Sequence, residues 1–359
     1  MQGCPIYREF QAMKGKQVSN FISTLPKVEL HIHLEGSVWP DLLAGIVEDR
    51  GISSGEQIRE LYRFVDFPGF LQAYKRVNEL LSQPEDFYNI ALAIARRLAG
   101  QRIFYAELTY NPLLHTRQGL DHDETMGCIL EGFKAARCEG KCPRINFIYD
   151  TARQWGSEAA LETVELAAGD LAAGLPVVAF GVGGDELSAP ARELEEAFRL
   201  AESRGLRKFV HAGELGEAGP VWEAVEILGA DRIGHGIAAI KDEKLMKVLA
   251  ERQIALDICL TSNVLTGAVK SFDEHPWMEL VKAGVPVTLG SDDPGFFGVW
   301  LEDELKKAVQ TWNLEAGLVS QLMENGVRYS FLSAKEKKSL EASIAPEAAE
   351  ETGIQDSDC

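Results

Sequence analysis

The sequence predicts an α/β chain folded as a (β/α)₈ barrel with a helical cap inserted after the first strand. Three observations predict it: eight short apolar, β-rich runs recur along the 359 residues, amphipathic helical patterns separate them, and the residues able to do chemistry gather at the carboxyl ends of the runs. In a barrel of parallel strands that end is the face on which active sites are built. A doubly wound open sheet has the same strand and helix alternation, so periodicity by itself leaves it as the structural alternative.

The runs are Val28–Leu34, Phe104–Tyr110, Ile145–Thr151, Val177–Gly184, Lys208–Glu214, Arg232–Gly236, Ile254–Ser262 and Pro286–Asp293. Most are apolar at consecutive positions, as strands covered on both faces of a parallel sheet require. From Glu85 to Ala99, residues Phe87, Ile90, Ala91, Ile94 and Leu98 recur at three- and four-residue steps and form one apolar helical stripe. Pro220–Gly229 carries Val221, Ala224, Val225 and Leu228 in the same way, with Pro near the start and Gly just past the end. The segment 35–103 is longer than one crossover needs and holds several helical patterns; on a barrel it stands over the carboxyl ends as a cap. Its Phe64, Phe67, Phe70 and Tyr74 suit either the wall of an apolar pocket or packing among cap helices. Residues 1–344 read as a single unit, and the polar, acidic, unpatterned tail 345–359 reads as disordered.

Composition narrows the function classes. With 36 basic and 55 acidic residues the net charge is −19, which repels phosphate backbones and anionic lipid and speaks against nucleic acid or membrane as the main partner. No stretch approaches the roughly 18 apolar residues of a membrane span. Met1–Ser19 has scattered charges and no apolar core, so no secretory signal is expected. The six cysteines lie far apart; Cys138 and Cys142 have no second Cys/His pair to complete a metal knuckle and read as ordinary thiols. A reducing, cytoplasmic location is the expectation.

Of seven histidines, four stand at run ends: His31 and His33 on the first, His211 on the fifth and His235 on the sixth. Strand residues two apart point to one side, so His31 and His33 can address one metal. The fifth run ends His211-Ala212-Gly213-Glu214 and the eighth Ser291-Asp292-Asp293-Pro294, and a barrel would bring all of them to one mouth. Three imidazoles and a carboxylate suit one Zn²⁺ with a position left for water, whose pKa the metal lowers towards neutrality. Taken singly, each motif also has a plainer reading. Asp292-Asp293-Pro294 is turn sequence, Glu214 could face the dipole of a helix starting near Pro220, and His235 between two glycines could sit in a turn. His115, His122 and His275 stand in polar, loop-like surroundings and read as surface residues.

Together, His31-Ile32-His33-Leu34-Glu35-Gly36-Ser37, Gly184-Asp185-Glu186, His211-Ala212-Gly213-Glu214, Gly234-His235-Gly236 and Ser291-Asp292-Asp293-Pro294 resemble, in order and placement, the adenosine deaminase family of metal-dependent amidohydrolases. The resemblance runs from about Pro26 to Tyr329, and Tyr105-Ala106-Glu107-Leu108 and Cys259-Leu260-Thr261-Ser262-Asn263 look familial too. It implies one zinc per chain on His31, His33, His211 and Asp292. It implies that Glu214 protonates purine N1 while a hydroxide attacks C6, which requires burial to keep that carboxyl protonated. His235 would orient the hydroxide and help take its proton, and Asp293 would accept hydrogen bonds from the attacking water and the substrate edge. The Gly184 N–H would contact the purine, an approach that a missing Cβ allows.

The implied partner is a small purine. Adenosine-specific relatives carry Asp where this chain has Glu35, the position that contacts ribose, so Glu35 is a candidate substrate contact and a departure from strict adenosine specificity. Phe70-Leu71-Gln72-Ala73-Tyr74 and the stretch around Gln83–Phe87 are similar to members acting on aminodeoxyfutalosine. The expected reaction is hydrolytic deamination of a 6-aminopurine nucleoside, adenosine or a 5′-modified relative; free adenine is the alternative. Binuclear relatives bridge two metals with a lysine on the fourth strand, and Val177–Gly184 has none. The cytidine-deaminase signature is also absent. A non-catalytic metal- and purine-binding barrel would be expected to have lost a ligand or Glu214, and all are in place.

Overall fold

The computed structural model describes residue 18, residues 21–50 and residues 55–344. The expectations for the extreme N-terminus and for the tail 345–359 concern residues outside the described set. Eight strands form one parallel sheet in sequential order: β1 (Lys27–His33), β2 (Ile103–Tyr110), β3 (Arg144–Ala152), β4 (Val177–Gly183), β5 (Arg207–Ala212), β6 (Arg232–His235), β7 (Ala255–Ile258) and β8 (Val287–Leu289). The His33 N–H donates to the Asp292 carbonyl and the Asp292 N–H to the His31 carbonyl, both at 2.9 Å, so the last strand region closes onto the first. This is the (β/α)₈ barrel, and the open-sheet alternative falls.

Strand positions follow the apolar runs to within two residues except at two ends. The seventh run overshoots β7 because the helix Leu260–Leu265 begins inside it, and the eighth outlasts β8. An apolar run records burial and cannot mark where the hydrogen-bond ladder stops. Between β1 and β2 the helices Pro40–Val47, Gly55–Leu61 and Phe67–Asn78 precede Pro84–Gly100, whose buried face includes Phe87, Ile90, Ala91, Ile94 and Leu98 as its stripe predicts. That last helix packs on His122–Cys138, where a Cβ at Gly132 would come 2.5 Å from the Tyr88 carbonyl. The close approach of the two backbones therefore depends on glycine.

A polar cluster fills the barrel interior beneath the mouth. Arg232 is fully buried, pairs with Asp257 and with Glu107 at 2.7 Å, and donates to the Leu30 carbonyl at 3.1 Å. Tyr105 Oη donates to Glu107 at 2.8 Å. Buried charges persist when paired and hydrogen-bonded, so the Tyr105–Glu107 stretch serves the scaffold here.

Three histidines depart from their expected surface position. His115 and His275 are buried and His122 is partly buried, facing Glu35, Asn263 and Asp170 at 3.0, 3.2 and 2.9 Å respectively. Polar sequence neighbours do not keep an imidazole in water when the fold supplies a buried partner. Cys138 also departs from expectation, being disulfide-bonded, whereas Cys142 is a free thiol. Among the described residues no helix is long and apolar enough to cross a membrane.

Candidate active site

On β1, Glu29, His31 and His33 occupy alternate positions and share one side of the strand. Glu29 is buried and its carboxylate accepts from the Ser291 N–H and hydroxyl at 3.2 and 3.3 Å, which anchors the segment carrying Asp292. Asp292 and His235 both adopt left-handed backbone, with φ of 60° and 62°. Such conformations cost non-glycine residues on the order of 1–3 kcal/mol and persist where the surroundings over-determine them. Both turn their side chains into the cluster at the mouth.

His31 Nε2 lies 3.1 Å from His211 Nε2, and His211 Nε2 lies 3.3 Å from His33 Nε2. Asp292 Oδ1 is 3.2 Å from His31 Nε2 and 3.3 Å from His33 Nε2. The far nitrogens of two of the rings are committed: His31 Nδ1 faces the Asp257 carbonyl at 3.1 Å and His211 Nδ1 the Val182 carbonyl at 3.0 Å. A carbonyl only accepts, so each Nδ1 carries the hydrogen, and in the neutral form of each ring Nε2 presents a lone pair inward. Facing lone pairs beside a carboxylate repel one another unless a cation sits among them, and carbonyl-oriented imidazoles are the usual support of a metal ligand. Burial and the neighbouring imidazoles hold His211 well below its ordinary pKa. Burial opposes ionisation of Asp292, but His31 and His235 outweigh it and hold the carboxyl well below its ordinary range. Neutral imidazoles with an ionised carboxylate are the donor set a divalent metal requires. His235 also lies within this group, its ligand atom within 4.8 Å of those of His31, His211 and Asp292.

Glu214 follows β5, with Oε2 3.7 Å from His235 Nε2. Burial, then the Asp292 charge, raises its pKa well above the ordinary value, as a proton donor needs. The turn that presents it is clamped: the N–H groups of Gly213 and Leu215, on either side of Glu214, donate to the two oxygens of Glu186 at 2.6 and 2.5 Å. Glu186 stands in the Gly184-Asp185-Glu186 motif, yet only the fold shows what it holds. Asp293 Oδ1 is buried and has no hydrogen-bond partner among the described residues. A Cβ at Gly36 would stand 1.7 Å from that oxygen, so glycine is what leaves Asp293 its place.

A cavity of about 420 Å³ opens on this cluster, within the size range of small-molecule pockets. Every predicted site residue lines it except His31, which lies behind the wall. Glu35 Oε1 accepts from the Asn111 N–H at 2.9 Å and faces His115 Nε2 at 3.0 Å, while Oε2 has no partner among the described residues. Gly184, at φ 83°, also lines it. Phe67, Phe70, Leu71, Tyr74 and Lys75 line the cavity at steps of three, one, three and one, a single helical face. Phe70 and Tyr74 also pack on Phe296 at 5.6 Å, so the aromatics serve pocket and cap packing together; Phe64 serves packing alone, against Phe70 and Phe297. Asp150 was not singled out by its sequence, although it lies near the carboxyl end of the third run. It lines the cavity, and burial raises its pKa.

Comparison with known proteins agrees with this geometry. The family model for adenosine deaminase matches residues 26–347. The aminodeoxyfutalosine deaminase of Streptomyces avermitilis is 38% identical over 337 residues, covering 93% of this chain and 94% of that protein. The crystal structure of an adenine deaminase from Arthrobacter aurescens superposes with a TM-score of 0.82 at 30% identity, covering 89% of this chain and 98% of that one. An amidohydrolase from Burkholderia ambifaria, solved with bound zinc, gives 0.84 at 26% identity, with coverage of 94% and 95%.

Proposed function

Because the chain belongs to the adenosine deaminase family, we propose that it acts on a 6-aminopurine nucleoside carrying a bulky 5′ group, aminodeoxyfutalosine being the first candidate. The chain is a hydrolase that deaminates a 6-aminopurine. One observation carries the nucleoside reading: the cavity that holds Glu214 is also walled by the apolar face of Phe67, Phe70 and Leu71 and by Trp155. A bare purine has no group to set against that face, whereas a nucleoside with a bulky 5′ extension has one.

The buried cluster suits a divalent metal, and zinc on His31, His33, His211 and Asp292 is the assignment we make. When bound, zinc supplies a hydroxide at neutral pH by lowering the pKa of a water. The chain's own groups do the rest. Glu214, protonated through burial, gives its proton to purine N1 as oxygen adds to C6. His235 hydrogen-bonds the incoming oxygen, and the unpartnered Asp293 Oδ1 accepts from that oxygen and from the purine edge. The Gly184 N–H approaches the purine, and Glu35 Oε2 meets the sugar. Passage of the hydroxyl proton to the amino nitrogen and cleavage of the C6–N bond then release ammonia and leave the 6-oxopurine.

Free adenine is the second reading, favoured by Glu35 in place of Asp and by the likeness to the Arthrobacter enzyme. The test is ammonia release by zinc-loaded protein from aminodeoxyfutalosine, adenosine, 5′-deoxyadenosine, S-adenosylhomocysteine and adenine. The 5′-extended nucleosides are expected to give the highest kcat/KM; adenine in first place would overturn the nucleoside reading. Glu35→Asp shortens the side chain that reaches from His115 into the cavity and is expected to shift the preference towards adenosine by about tenfold, the value of one hydrogen bond of about 1.4 kcal/mol. An unchanged ranking in that variant removes Glu35 from the specificity set.

A further inference from the structure

We propose that Asn263 and His275 are positioning residues that fix His235 as the Nε2–H tautomer, so that His235 meets the attacking oxygen as a hydrogen-bond donor and not as a base. The proposal rests on the deaminase reading for the presence of that oxygen; the polarity of the chain of hydrogen bonds does not depend on that reading.

The polarity starts from a group that can only donate. The main-chain N–H of Trp277, first residue of the helix Trp277–Lys282, lies 3.3 Å from His275 Nδ1. N–H groups in a first helical turn have no partner within the helix, so this one is free for the imidazole. His275 Nδ1 must therefore accept, and in the neutral ring the hydrogen resides on Nε2. Burial holds the His275 pKa down, at about 4, which keeps the ring neutral at working pH. His275 Nε2 faces Asn263 Oδ1 at 3.2 Å, a pure acceptor, and this orients the amide. The Asn263 amide nitrogen then points at His235 Nδ1, 3.1 Å away, and can only donate. With Nδ1 accepting, the hydrogen of neutral His235 lies on Nε2, which faces Glu214 Oε2 at 3.7 Å and Asp292 Oδ2 at 3.8 Å.

All three side chains are at most 2% exposed, so water does not compete for these bonds. Reversing one bond leaves two donors or two acceptors facing each other in a dry interior, which costs on the order of 1–3 kcal/mol. The same polarity separates His235 from the ligand rings His31 and His211. Those rings place hydrogen on Nδ1 against a carbonyl and present a lone pair, whereas His235 presents N–H to the oxygen that adds to C6.

The test reads the tautomer directly. In zinc-loaded protein with ¹⁵N-labelled histidine, the His235 resonances, assigned against His235→Ala, are expected to show Nε2 protonated and Nδ1 bare. Hydrogen on Nδ1 would overturn the proposal whether or not the protein deaminates anything. His275→Gln keeps a donor towards Asn263 Oδ1 and should retain the tautomer and most of kcat. His275→Glu accepts instead, turns the amide round and should move the hydrogen to Nδ1, with kcat lower by on the order of 100-fold, KM little changed and zinc content intact. A His275→Glu protein that keeps the wild-type tautomer, or that switches it and keeps its kcat, would equally overturn the assignment.

Discussion

Glu214→Gln is expected to lower kcat by about 10²- to 10⁴-fold, the usual contribution of a positioned proton donor, while fold and zinc content stay at wild-type levels. Gln preserves the shape of the side chain and its contact with Thr266 but has no acidic proton for purine N1. Turnover near wild type would remove Glu214 from the proton-donor role. Stability gives an independent check. Burial places the folded-state pKa of Glu214 well above the ordinary 4.5, so the unfolded chain ionises first as pH rises. Stability is then fully present below about pH 4.5 and is lost progressively as pH climbs through the folded value. Because Gln does not titrate, zinc-free Glu214→Gln should melt above zinc-free wild type at about pH 8 and show no such gain at about pH 4. A melting difference that is the same at both values would mean that the carboxyl is not held protonated.

His33→Ala is expected to weaken zinc binding by more than the roughly 10–100-fold typical of losing an outer-shell partner, and to abolish turnover with it. The variant removes Nε2 from its positions 3.3 Å from both Asp292 Oδ1 and His211 Nε2, leaving His31, His211 and Asp292 to hold the ion. Zinc content measured after dialysis against a chelator decides the matter, because full retention would place His33 outside the ligand set and favour His235, whose nitrogen is also near the cluster. Loss of zinc should also lower the melting temperature, since a ligand that binds only the folded chain stabilises it by mass action.

The main features of the site were legible because barrel chemistry is written at strand ends. His31 and His33 share one face through strand alternation, and His211, Glu214, Asp292 and Asp293 close two further runs, so strand assignment and residue type together were enough to gather them. The helical stripe of Pro84–Gly100 was equally plain, since its apolar period repeats over four turns. Less was legible where meaning depends on a partner far along the chain. Glu186 clamps the turn of Glu214, Glu29 anchors Ser291 some 262 positions away, and His115 leaves the surface to meet Glu35.

What the sequence by itself determined is therefore the fold class, the family and the identity of the groups that converge at the mouth, because strand alternation and barrel topology are local rules repeated eight times. What only the tertiary structure decided is the electrostatic state of those groups and the wall of the pocket. Burial raises the pKa of Glu214, carbonyls and amides assign hydrogens to particular histidine nitrogens, and the face of Phe67–Lys75 turns towards the cavity. Desolvation and hydrogen-bond polarity are properties of what surrounds a residue, and its surroundings come from every strand of the barrel at once.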